Sequence, residues 1–251
     1  MPEDDSTFKK LRNLNLTMGV IHLVQGIAML LLSNSFALPV TRLYLSYDSA
    51  TQSFDHVSET LFNLRIGPVV ALFLFISAGA HFLISTVFYR RYVANLKKGM
   101  NPYRWAEYSL SASVMIVVIA MLVGIYDIGS LIMAFSLNAI MIFFGYTMER
   151  HNQGKKKTEW TDFIFGCFAG AVPWVVIAIY LLRANPPDFV YWIFISIAVF
   201  FNIFALNMFL QYKKIGKWKD YLHGERMYIV LSLVAKSALA WQVFAGTLRP
   251  M

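Results

Sequence analysis

Lys236 stands in the middle of an apolar stretch, ten residues after Arg226 and thirteen before Arg249. At helical rise those flanks are about 15 Å or more away, too far for the side chain to snorkel to a polar boundary. A lysine at the centre of a lipid bilayer costs roughly 2.5 to 3.5 kcal/mol, so its presence needs a chemical reason. Desolvation favours the neutral amine, the form that condenses with an aldehyde to give a Schiff base. Glu107 is the one acidic residue clearly inside another apolar run, since Asp127, Glu149, Asp162, Asp188 and Glu225 fall near the ends of theirs. A buried cation needs a counter-charge, and either group alone is more costly than the pair. Counted from Arg104, however, Glu107 is shallower than Lys236 by about 10 Å, so pairing requires helix tilt or a helix that begins before Trp105.

Further polar residues fall at helical spacing around this pair. Ser232 precedes Lys236 by four residues and Ser111 follows Glu107 by four, which places each on its partner's face. Met18, His22, Gln25 and Met29 form one stripe, and Ser77, His81 and Ser85 another. The two segments run in opposite directions, which puts His22 and His81 at one depth, about 12 Å from the inner surface. Two such histidines can bond between helices, accept protons or bind metal. Metal binding lacks an H-x-x-x-H or H-E-x-x-H spacing and a third intramembrane histidine, because His56, His151 and His223 lie in connections, and no metal site is expected. With no glycine-rich phosphate loop, nucleophile elbow or paired carboxylates, enzyme activity is not expected either.

The elements that must hold these residues follow from composition. Of 251 residues, 58% are hydrophobic and 14% charged, against roughly 25% charged in a soluble domain. Seven apolar runs are long enough to cross a bilayer as helices: Leu14 to Ser33, Ile66 to Tyr89, Trp105 to Ile125, Ile128 to Met148, Phe163 to Leu182, Phe189 to Gln211 and Met227 to Thr247. The expected fold is an all-α seven-helix membrane bundle, one domain over residues 1–251. Pro173 predicts a kink in the fifth span. Cys167, the single cysteine, excludes an intrachain disulfide and reads as a small core residue.

Of the 22 Lys and Arg residues, 17 fall on one side of this topology and four on the other, and Lys236 is left over. The basic side stays in the cytoplasm, which puts the N-terminus inside and the C-terminus outside. The net charge of +8 therefore reads as membrane-surface charge, with no nucleic-acid partner. The acidic Glu3, Asp4 and Asp5 do not resemble a secretory leader, so the first helix is expected to be retained. In the long first outer connection, Leu43 to Tyr47 and Gln52 to Phe54 flank Asp48-Ser-Ala-Thr like two short strands around a turn.

A lysine in the centre of the seventh helix facing a carboxylate in the third is the arrangement of microbial rhodopsins. The segments Arg104-Trp-Ala-Glu-Tyr-Ser-Leu-Ser and Gly224-Glu-Arg-Met-Tyr-Ile-Val-Leu-Ser-Leu-Val-Ala-Lys-Ser-Ala-Leu-Ala-Trp resemble heliorhodopsins. The likeness continues through Phe36-Ala-Leu-Pro, Ala171-Val-Pro-Trp and Phe200-Phe-Asn over nearly the whole chain, and the inside N-terminus agrees with that family's inverted topology. The resemblance implies all-trans retinal bound covalently to Lys236 as a protonated Schiff base, with Glu107 as counterion. It also implies Tyr108, Ser111, Met115, Asn138, Ile142, Gly145 and Phe201 as pocket lining, with His22, His81 and Ser232 around the Schiff base.

One fold of this kind can pump ions, gate them or signal, so function rests on the site. The third span has no carboxylate after Glu107, and Ser232 stands where pumping relatives carry a second acid. The expected function is a retinal photoreceptor in the cell membrane that senses light without pumping, as a homodimer with a cytoplasmic signalling partner. A light-driven transporter or channel is the alternative, and a non-photoactive enzyme or carrier using the His/Glu/Lys cluster the more distant one.

Overall fold

A computed structural model describes residues 5–184 and 186–249. Glu3 and Asp4, which bear on the reading of the N-terminus, lie outside the described residues. The elements in chain order are α1 (Asp5–Leu32), β1 (Ala37–Asp48), β2 (Ser53–Arg65), α2 (Ile66–Ser85), α3 (Tyr89–Leu96), α4 (Pro102–Leu122), α5 (Ile128–His151), α6 (Thr161–Ala184), α7 (Asp188–Tyr212) and α8 (Tyr221–Val243), the last extended by a π-helical turn, Phe244–Leu248. Among the described residues all the α-helices but α3 are long and apolar enough to cross a membrane, seven in total. Such segments become helices because a helix satisfies its own backbone where water is absent. Their outward faces carry large apolar side chains, among them Leu31, Phe168, Leu182 and Trp192, while serine, asparagine, histidine and charged groups are buried within.

Neighbouring helices close a ring in which α1 packs on α2, α2 on α4, α4 on α5, α5 on α6, α6 on α7, α7 on α8 and α8 on α1. Helix α4 also touches α6 and α7 and is the most enclosed of the spans. Helix α6 runs unbroken through Pro173.

Local chemistry sets several boundaries beyond the apolar runs. Helix α4 begins three residues before Trp105, because Pro102 suits the first helical turn and Asn101 Oδ1 accepts the Arg104 N–H at 3.2 Å. Helix α8 begins six residues before Met227, where Asp220 Oδ1 accepts the Leu222 N–H at 2.9 Å. The ends of α4, α5 and α8 therefore take in Arg104, Glu149 and Glu225, which hydropathy alone assigns to the span boundaries.

The first long connection is a two-stranded antiparallel hairpin, in register from Ala37 opposite Arg65 to Asp48 opposite Ser53, with an irregularity at Val40 and Thr41. Its strands, of 12 and 13 residues, are much longer than the short pair suggested by the turn sequence. The Arg42–Glu59 ion pair at 2.6 Å bridges the strands, and Asp48 Oδ1 accepts the Ala50 N–H at 2.8 Å in the turn. The Thr41 N–H donates to the Tyr126 carbonyl at 2.9 Å, which ties the hairpin base to the α4–α5 connection.

Candidate functional site

Lys236 on α8 and Glu107 on α4 meet in the interior, with Nζ 2.7 Å from Oε1 and side-chain exposures of 4% and 8%. Nζ also donates to Ser232 Oγ at 2.8 Å. That contact shows the lysine leaning one turn toward the N-terminus of α8, as side chains on a helix do. The early start of α4 does not by itself close the depth difference anticipated between the two groups, because α8 also begins early, and the contact is made by the backward-leaning lysine. Glu107 Oε1 accepts a second hydrogen bond, from Ser77 Oγ on α2 at 2.7 Å. Ser77 shares a stripe with His81 and Ser85, but its sequence carries no sign that it reaches the carboxylate. The face of the Tyr108 ring lies 5.0 Å from Nζ, and its hydroxyl donates to the Tyr228 carbonyl at 2.8 Å.

His22 and His81 stack with ring centroids 5.7 Å apart and planes 12° from parallel. His81 Nδ1 donates to Asn15 Oδ1 at 2.7 Å, whereas neither ring nitrogen of His22 has a hydrogen-bond partner among the described residues. A buried imidazole with both nitrogens free has unused capacity to accept a proton or a hydrogen bond.

From Lys236 and Ser232 a cavity of about 460 Å³ runs among α4, α5, α6, α7 and α8. Tyr108, Met115, Ile142, Gly145 and Phe201 line it, as do Trp105, Trp174, Phe194 and Phe204, which sequence reasoning did not single out. Trp174 stands edge to face against Phe194 and Phe201 at 5.5 and 5.4 Å. A Cβ on Gly145 would collide with the Trp105 ring, so glycine there lets that ring lie against α5. Asn138 and Ser111 are buried outside the lining: Asn138 donates to Ser113 Oγ at 3.1 Å, and Ser111 sits one turn beyond Glu107. Cys167, expected in the core, is exposed and contributes to the α6 wall of the cavity. The reason is that α6 turns this face outward, where an apolar environment accepts a thiol as readily as a core does.

A second buried cluster lies at the end of the bundle opposite the hairpin. The Arg104 guanidinium forms ion pairs with both Glu149 and Glu225, each side chain at most 4% exposed. Glu149 also accepts from the Asn101 N–H at 2.9 Å, Trp105 Nε1 at 2.6 Å and the Tyr221 hydroxyl at 3.0 Å. Glu225 accepts from Asn101 Nδ2 at 2.7 Å and the Tyr92 hydroxyl at 3.1 Å. Sorting Arg104 with the loop cations and the two glutamates with the span ends concealed this cluster. The helix-start signals at Asn101-Pro102 and Asp220 were the available clue.

The heliorhodopsin family model matches residues 11–248. The chain belongs to the heliorhodopsin family. Membership makes this heliorhodopsin a multi-pass membrane photoreceptor whose chromophore is retinal, held through a Schiff base. Among solved structures, the transmembrane domain and linker region of the Salpingoeca rosetta rhodopsin phosphodiesterase aligns with a TM-score of 0.63 at 14% identity, over 96% of this chain and 80% of that one. Exiguobacterium sibiricum rhodopsin aligns with a TM-score of 0.55 at 17% identity, over 96% of this chain and 93% of that one. At these identities the likeness is one of fold. No curated protein matches the heliorhodopsin in sequence. Its site fits the chromophore: an amine lines a largely aromatic and apolar cavity that suits a polyene bearing an aldehyde.

Proposed function

We propose that this heliorhodopsin is a light sensor that does not pump ions, with all-trans retinal attached to Lys236 and the proton at Nζ held by Glu107. The observation that carries the reading is the 2.7 Å contact between Glu107 Oε1 and Nζ of Lys236, which lines the cavity. Bound retinal supplies absorption of visible light and a double bond that isomerises. The residues do the rest. Glu107, fixed by Ser77, holds a positive charge at Nζ with an attraction of about 4 kcal/mol for charges about 4 Å apart at an effective dielectric near 20, before desolvation. Tyr108 adds the negative face of its ring.

When the N–H at Nζ turns away from Glu107, its proton leaves toward His22 and His81 and later returns from the same side. The absence of an exit route supports this return. Between Lys236 and the hairpin end, no spanning helix carries a carboxylate in its interior among the described residues. The polar groups there include Ser196 and Gln242, bonded to one another at 3.1 Å. Such a cycle moves no ion across the membrane, yet it changes the charge beside Arg104, Glu149 and Glu225.

The same reading places the N-terminus in the cytoplasm, from the 17 to four division of basic residues, in a homodimer of the cell membrane whose partner reads the inner surface. Labelling of an N-terminal tag on intact cells would contradict that orientation. The deciding experiment for function is illumination of retinal-loaded cells. No ionophore-sensitive pH change and no photocurrent are expected, and a sustained one would make the protein a transporter.

A further inference from the structure

Arg104 is one cation serving two buried carboxylates, so with both ionised the Arg104–Glu149–Glu225 cluster has one negative charge in excess inside the bundle. Uptake of one proton would leave a neutral arrangement, an Arg–Glu ion pair beside a neutral acid, and low dielectric favours that outcome. The two carboxylates are not equivalent. Glu149 is saturated by Asn101 N–H, Trp105, Tyr221 and Arg104, whereas Glu225 has Asn101 Nδ2, Tyr92 and Arg104.

Glu225 also faces the site, and Glu149 does not. A small cavity of about 30 Å³ is lined at once by Glu107, His81, Asn15, Asn101, Arg104 and Glu225. It has the room and the polar walls for a single water molecule. A hydrogen-bonded chain runs beside it: His81 Nδ1 donates to Asn15 Oδ1 at 2.7 Å, Asn15 Nδ2 to the Tyr92 hydroxyl at 3.3 Å, and that hydroxyl to Glu225 Oε1 at 3.1 Å. Burial pushes the Tyr92 hydroxyl well above its ordinary range, which keeps it a donor to the carboxylate.

Building on the light-sensor reading, we propose that Glu225 is the terminal acceptor of the proton that leaves Lys236 Nζ. The N–H bond breaks and its electron pair stays on nitrogen. His81 and the small cavity carry the proton, and an O–H bond forms on the Glu225 carboxylate. Recovery runs the same steps backwards, with no net transport. Neutral Glu225 loses its charge-assisted bonds to Tyr92 and Arg104, so helix α3, which carries Tyr92 with Arg90 and Arg91 exposed beside it, is loosened where a partner can reach it.

Time-resolved infrared difference spectroscopy on the retinal-loaded full-length protein tests this, with visible absorption followed in parallel. A carboxylic-acid carbonyl band, shifted in heavy water, should rise with the blue-shifted state that marks loss of the Nζ proton. It should vanish in Glu225→Gln, move in frequency in Glu225→Asp and persist in Glu149→Gln. A band that survives in Glu225→Gln, or a blue-shifted state with no carbonyl band, as an imidazole acceptor would give, overturns the proposal alone. A wild-type protein that never forms the blue-shifted state overturns both the proposal and the light-sensor mechanism beneath it.

Discussion

Lys236 Nζ and Glu107 Oε1 lie 2.7 Å apart although 129 residues separate them in the chain. The contact joins α8 to α4, and Ser77 of α2 completes it, so three helices must pack correctly before either charge is tolerable. This arrangement sets strong expectations for substitution.

Lys236→Ala should abolish the visible pigment, because the cavity then offers no primary amine. Expressed protein supplied with all-trans retinal should stay colourless while still folding, since a neutral Glu107 and alanine are compatible with an apolar interior. A stable visible pigment in this variant would sink the assignment of the linkage.

Glu107→Gln removes the negative charge beside Nζ and keeps the shape. The absorption maximum should move strongly to the red, read directly in purified pigment, whereas Glu107→Asp should shift it less. An unaltered spectrum in the glutamine variant would remove Glu107 as counterion.

Gly145→Leu should displace the Trp105 ring into the cavity, since even a Cβ collides with it. Retinal occupancy, measured as the ratio of visible to protein absorbance, should fall several-fold. Adding Trp105→Ala should restore part of it by making room, and a variant with normal occupancy would show that the ring has space to move elsewhere.

Arg104→Gln strands two buried carboxylates at once. Removing one partner from a buried pair costs about 3 to 5 kcal/mol, so thermal unfolding of the purified protein should begin at a markedly lower temperature. Combining it with Glu149→Gln and Glu225→Gln should recover much of the loss, because no unpaired charge then remains. Equal stability of Arg104→Gln and the wild type would mean the cluster is hydrated.

Hydropathy was enough to place the seven spans, since backbone in lipid must satisfy itself locally and an apolar run of sufficient length has one solution. It also isolated Lys236 and Glu107, because a charge in such a run stands out against its neighbours. Helical periodicity brought His22 and His81 to one depth, a relation internal to two adjacent antiparallel helices, and the rings do stack. The family words in α4 and α8 extended the reading to the chromophore.

What only the tertiary structure decided is which side chains meet between the packed helices. Ser77 bonds Glu107 because α2 packs on α4, Trp174 and Phe194 wall the cavity because α6 meets α7, and Asn138 turns to Ser113 because α5 faces α4 there. The Arg104–Glu149–Glu225 cluster depends on three chain segments converging at one end of the bundle. By composition each of its members belongs at a water boundary, and only the ion pairs and hydrogen bonds that converge there let all three be buried.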